Sequence, residues 1–139
     1  MPQTNAVTVL VVGKGAAHLS DLIRRLESLN CRVVWASGVT NWVLPVIEAC
    51  RVPLVFCDME LEKGEYTELI DALRSARVPA KLVVTCRVCR MADYCEAMQV
   101  GAYDYLCAPF ERTELARILH NVSSHRPTSA QRLESGAVA

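Results

Sequence analysis

The sequence predicts a single α/β domain in which strand and helix alternate five times, giving a parallel sheet with helices on both faces. Three observations carry that reading. Strand-length apolar runs, several rich in Val, recur along the chain. Between them lie stretches whose apolar residues return at helical spacing. The chain has 139 residues, and half of it, about seventy residues, would be marginal for a core of its own. Successive β–α units joined by right-handed crossovers place helices on both sides of the sheet.

The elements follow in order. Val7 to Val12 (VTVLVV) is a continuous apolar run, as suits a strand buried on both faces. Gly13-Lys14-Gly15 ends it, and Leu19, Leu22, Ile23, Leu26 and Leu29 then recur at helical spacing, with Arg24, Arg25 and Glu27 on the wet side. Arg32 to Ala36 is the second strand, Trp42 to Cys50 the second helix with Pro45 close to its start, and Leu54 to Cys57 the third strand. A polar loop from Asp58 to Gly64 leads to a helix carrying Leu69, Ile70 and Leu73, and Lys81 to Thr85 is the fourth strand. Met91 to Val100 is helical, and Gly101 stands where a helix end needs a left-handed residue. Tyr105-Leu106 begins a short fifth strand before Pro109, and Leu115, Ile118, Leu119 and Val122 form the buried stripe of the last helix. The expected organisation is an arm over 1–6, the domain over 7–122 and a tail or linker over 123–139, which is rich in Ser, Ala, Arg and Gly.

Composition narrows the function. Hydrophobic residues make up 52% and charged residues 22%, enough to bury a core, and 15 basic residues balance 15 acidic ones. With no net charge, there is no global field to draw the chain onto nucleic acid or an anionic membrane, so neither is expected as a partner. No apolar stretch reaches the roughly eighteen to twenty residues of a spanning helix, and the polar N-terminus lacks a signal-type block, so a cytoplasmic location is expected. The seven cysteines (Cys31, Cys50, Cys57, Cys86, Cys89, Cys95, Cys107) are odd in number and lie in apolar segments, unlike a secreted disulfide framework. Most read as reduced core thiols.

In open parallel sheets, ligands bind in the crevice outside the carboxyl ends of the strands. The residues there are Gly13, Lys14, Asp58, Thr85 and Ala108, which include one carboxylate and no acidic cluster.

Taken in order, the motifs resemble the receiver domain of two-component response regulators over roughly Val7 to Val122. Phe56-Cys57-Asp58-Met59 resembles the end of that family's third strand and implies Asp58 as the phosphoacceptor-equivalent carboxylate. Thr85, closing Leu82-Val83-Val84, resembles the hydroxyl residue that senses the phosphoryl group. Gly101 to Leu106, followed by Pro109-Phe110, resembles the run around the fifth strand. There Tyr105 matches the switch aromatic and Pro109 is the candidate for a cis peptide bond. The resemblance implies a flavodoxin-like fold with strand order 2-1-3-4-5 and a signalling role that is not enzymatic.

Three departures bear on mechanism. Gly13 and Lys14 stand where the family has an acidic pair that holds magnesium together with the acceptor aspartate. Ala108 stands where it has a lysine. The loop after Asp58 is short, with Glu62 in place of a proline. Phosphoryl transfer to a carboxylate brings anion against anion, so it depends on cations that neutralise the equatorial oxygens. Loss of the metal, at several kcal/mol, and of a lysine hydrogen bond, at roughly 1.5 to 3 kcal/mol, slows transfer by at least about a thousandfold. No metal site and no cofactor are therefore expected, the magnesium site being lost, and Lys14 is expected to offer a fixed cation to Asp58. The expected role is a degenerate receiver acting by protein contact through the face of the fourth helix, fifth strand and fifth helix, with an effector domain, another protein or a second copy as partner. Met91, Tyr94, Met98, Tyr103, Arg112 and Arg117 belong to that face.

Two other readings compete. A phosphoryl-accepting regulator would use Asp58 with cations from elsewhere, Glu60 or Glu62 recruiting a metal. A redox or ligand-binding flavodoxin-like domain would use the Cys86-Arg87-Val88-Cys89 pair, with Cys57 and Cys107 at neighbouring strand ends placing thiol oxidation within reach of the switch. A single CxxC pair far in sequence from His18, His120 and His125 supports zinc poorly. Gly13-Lys14-Gly15 lacks the full pattern of a nucleotide-binding loop. Trp35 and Trp42 are expected to be packing residues.

Overall fold

A computed structural model describes residues 6–124. It contains β1 (Thr8–Val12), α1 (Ala17–Ser28), β2 (Arg32–Ala36), α2 (Val43–Ala49) and β3 (Leu54–Asp58), followed by α3 (Tyr66–Ser75), β4 (Lys81–Cys86), α4 (Met91–Gln99), β5 (Asp104–Cys107) and α5 (Arg112–Ser124). The five strands are parallel in the order β2-β1-β3-β4-β5, the expected flavodoxin-like arrangement. Helix α5 continues through Ser124, past the expected boundary at 122. Most of the expected arm (1–5) and most of the expected tail (125–139) lie outside the described residues.

Strand alternation divides the core in two. Val9, Val11, Leu54, Phe56, Val83 and Leu106 face Leu19, Leu22 and Leu26 of α1 and Leu115 and Ile118 of α5. Leu10, Val12, Val55, Leu82, Val84 and Tyr105 face α2, α3 and α4 through Val43, Ile47, Leu69, Ile70, Leu73 and Ala97. The three central strands are covered on both faces, which explains their unbroken apolar runs. Edge strand β2 is covered less, so Trp35 is 49% exposed, and Trp42 before α2 is 44% exposed. Both, expected as packing residues, are half-exposed and lie outside the two core clusters. Trp35 instead donates its Nε1–H to the Gly13 carbonyl at 3.1 Å.

Strand ends extend slightly beyond the apolar runs: β3 takes in Asp58 and β4 takes in Cys86, because ladder pairing continues through Asp58↔Thr85 and Cys86↔Cys107. Gly101 adopts φ +109 after the α4 cap, as expected. Helix α3 starts with a capping box between Glu65 and Glu68. Chain order reverses at β1, between β2 and β3, so the crevice at the carboxyl ends of β1 and β3 holds Gly13 and Asp58.

Candidate functional site

Asp58 is the last residue of β3 and only 2% exposed, so its carboxylate needs hydrogen bonds to remain charged. Three donors reach it. Thr85 Oγ1, from the register partner on β4, donates to Oδ1 at 2.7 Å. His18 Nε2 donates to the same oxygen at 3.0 Å. The Glu60 backbone N–H donates to Oδ2 at 3.2 Å, folding the short loop back over the strand end. The proximity of Asp58 to Thr85 expected from the sequence is therefore a direct contact.

His18 is the second residue of α1, and the turn Gly13 to Ala16 swings that first helical turn over the sheet's edge. Its side chain is 8% exposed, and its ring lies 6.4 Å from that of Phe110, tilted by 31°. Nδ1 is buried with no partner among the described residues. The ring occupies ground that Lys14 was expected to take. Lys14 is instead exposed, contributing its backbone N–H to the Glu60 carbonyl at 3.3 Å, while His18 is the side chain paired with Asp58. The correction has a simple cause: the chain turns at Gly13-Lys14-Gly15 and sends residue 14 outward, and the first turn of α1 covers the pocket.

Gly13 lies close under the α1 packing. A Cβ at that position would run into Leu19 Cδ1 and come within 3.0 Å of Asp58 Cβ, so no acidic side chain fits without displacing the α1 packing. A magnesium ion requires about six oxygen ligands in near-octahedral array. The residues present do not fit one: position 13 is a glycine and offers no carboxylate, position 14 carries an ammonium, and no group of three or more His, Cys, Asp or Glu suited to a metal occurs among the described residues. Ala108 is partly buried, its N–H donates to the Cys86 carbonyl at 3.0 Å, and its bond to Pro109 is cis.

A cleft of about 290 Å³ opens beside Asp58, lined also by Met59, Glu60, Cys86, Arg87, Val88, Arg90 and Asp93. Arg87 and Arg90 bring positive charge to this rim from the β4–α4 loop, which sequence spacing did not reveal. A somewhat larger hollow, about 350 Å³, lies against Ile70, Arg74, Lys81 and Tyr103 at the opposite end of β4, away from the carboxylate.

Tyr105 is buried, with its hydroxyl donating to Met59 Sδ at 3.8 Å and its ring edge-on to Tyr94 at 5.7 Å. Burial pushes its phenol up, helped by the neighbouring Cys86 thiol. Behind it, Cys86 Sγ approaches Cys107 Sγ at 3.0 Å. Burial likewise pushes the Cys107 thiol up, with hydrogen bonds to Cys89 and Cys86 adding to the effect.

No family model matches the chain. Among curated proteins, it is 29% identical over 113 residues to the photosynthetic apparatus regulatory protein RegA of Rhodobacter capsulatus, covering 81% of this chain and 60% of that protein. It is also 31% identical over 137 residues to protein-glutamate methylesterase/protein-glutamine glutaminase 6 of Anaeromyxobacter dehalogenans, covering 94% of this chain and 38% of that one. The chain thus spans less than two thirds of the length of each. Among solved structures, a putative response regulator from Chloroflexus aurantiacus superposes with TM-score 0.76 at 20% identity, over 87% of this chain and 100% of the other. Full-length FixJ from B. japonicum superposes with TM-score 0.76 at 20% identity, over 92% of this chain and 63% of that one. No helix among the described residues is long and apolar enough to cross a membrane. The chain has the fold of a response regulator receiver domain, and its sequence likeness to the regulatory protein RegA extends over 81% of its length.

Proposed function

We propose that the chain is a degenerate receiver module of a two-component system, working by protein contact without magnesium-dependent phosphorylation of Asp58. One observation carries this reading: the carboxylate is buried at 2% exposure, and Oδ1 is already held by His18 and Thr85. A phosphoryl group arriving on Oδ1 would displace His18, and one arriving on Oδ2 would meet the Glu60 amide that holds the loop over the strand end. Either would also lack the acid-held metal and the lysine that usually neutralise it, since Gly13, Lys14 and Ala108 occupy those positions.

The proposed contact surface is the face of α4, β5 and α5. Met91 is 72% exposed there, Tyr94 and Met98 are exposed along the same helix, and Tyr103 is exposed just before β5. Helix α4 buries only Ala97 fully. Amphipathic exposure of this kind marks a protein-binding patch. The partner is an effector domain, a separate protein or a second copy.

Arg87 and Arg90 favour a second reading, in which they supply the missing charge and Asp58 accepts a phosphoryl group. Incubation with acetyl phosphate, with and without magnesium, followed by intact-mass measurement separates the two. No phosphoryl adduct is expected in either condition. An adduct that disappears in D58N would establish the second reading.

A further inference from the structure

Cys86, Cys89 and Cys107 converge from the end of β4, the β4–α4 loop and the end of β5. Cys86 and Cys107 are register partners on adjacent parallel strands, so their side chains leave the same face. Neighbouring strands lie about 4.8 Å apart, inside the roughly 4.4 to 6.8 Å separation of Cα atoms that a disulfide spans. Their sulfurs already touch, at 3.0 Å. Cys86 also lines the open cleft beside Asp58, and Cys89, three residues on in the β4–α4 loop, is exposed. Tyr105, two residues before Cys107 on the same face of β5, donates its hydroxyl to Met59 Sδ at 3.8 Å.

We propose that Cys86 and Cys107 form a reversible disulfide when the chain meets a peroxide, with Cys89 as the thiol that reacts first, and that this bond resets Tyr105 and the α4 surface. The Cys89 thiolate attacks one oxygen of hydrogen peroxide, forming an S–O bond while the O–O bond breaks; water leaves and a sulfenic acid remains. The Cys107 sulfur attacks that sulfenic sulfur, forming an S–S bond and releasing a second water with the Cys107 proton. Cys86 then attacks Cys107, its proton passing to Cys89, which departs as a thiol. Two thiols are oxidised and one peroxide is reduced to two waters; a small dithiol reverses the change. The bond ties β4 to β5 beside Tyr105, at the root of the loop bearing Arg87 and Arg90. Only the consequence for partner binding rests on the contact reading above; the disulfide does not.

The test uses the full chain. It is treated with one equivalent of hydrogen peroxide, free thiols are blocked, and the protein is digested with trypsin without reduction. Cleavage after Lys81, Arg87, Arg90 and Arg112 puts Cys86, Cys89 and Cys107 on three separate peptides, 82–87, 88–90 and 91–112. The expected product joins 82–87 to 91–112, is absent in C107S and in C86S, and forms about tenfold more slowly in C89S. Hydrogen exchange across 91–107 is expected to change on oxidation in the wild type and not in C107S. Three fully free thiols, a lasting link of 88–90 to 91–112 alone, or a link surviving in C107S through Cys95 would each overturn the disulfide. A disulfide that leaves exchange at Tyr105 and α4 unchanged overturns the switch. The acetyl phosphate measurement on reduced C107S tests the contact reading separately.

Discussion

The His18–Asp58 pair gives the sharpest quantitative prediction. His18→Ala removes one of two donors to Oδ1 of a carboxylate whose side chain is 3% exposed, leaving Thr85 and the Glu60 amide. A hydrogen bond to a charged group contributes about 1.5 to 3 kcal/mol, and the loss of ring packing against Phe110 adds to this. We expect H18A to destabilise by about 2 to 4 kcal/mol, lowering Tm by roughly 6 to 12 °C for a chain of this length. The single mutant alone cannot separate pairing from packing, so a double-mutant cycle with D58N is required. Urea denaturation followed by far-UV circular dichroism on wild type, H18A, D58N and the double mutant should give a coupling of about 1.5 to 3 kcal/mol with unchanged m-values. A coupling below about 0.5 kcal/mol would show that the two side chains are independent, and the view of Asp58 as already satisfied would fail.

Other outcomes follow from the same geometry. Restoring an acid with Gly13→Asp is expected to destabilise by about 2 kcal/mol or more, because the new side chain meets Leu19 and sets a carboxylate against Asp58; a magnesium titration followed by NMR that shows a tight site with no loss of Tm would refute this. Cys57 is fully buried, and burial, with the charge of Asp58 second, raises its thiol above the ordinary value of 9.0. Above pH 9 the unfolded chain releases that proton while the folded chain retains it, so stability falls as pH rises, by up to about 1.4 kcal/mol per unit from this group. Cys57→Ala should flatten the slope between pH 9 and 11 in urea melts, and an identical slope would count against the assignment. Gly101→Ala should cost about 1 to 2 kcal/mol by calorimetry, since φ is +109 and the new Cβ would lie 2.6 Å from the Arg74 Nη2 that binds the Val100 carbonyl. Met91→Glu, at an exposed α4 position, should change stability by less than about 0.5 kcal/mol while weakening any partner that uses this face.

Local chemistry made much of the fold legible. The runs at Val9 to Val12, Leu54 to Cys57 and Leu82 to Val84 are buried as their composition implied, and Arg32–Ala36 is the second strand as read. Gly101 takes its left-handed conformation because it follows a helix end, a purely local demand. The Trp35 reading failed for a reason that is not local: a strand's apolar character does not say whether it is central or at an edge, and β2 is at an edge. The CxxC spacing drew attention to Cys86 and Cys89, yet the closest sulfur to Cys86 belongs to Cys107, 21 residues on.

Periodicity and turn residues determined by themselves that this chain alternates strands and helices, that helices cover both sheet faces, and that Asp58 and Thr85 lie near the carboxyl edge. These follow from burial and backbone preference, which act over a few residues. Only the tertiary structure decided that His18, 40 residues from Asp58, rather than Lys14 covers the carboxylate. It alone placed Arg87 and Arg90 on the cleft and set Leu19 against Gly13. Those outcomes depend on strand order, register and the direction in which one turn leaves β1, and a contact that spans tens of residues leaves no periodic trace in the residues between.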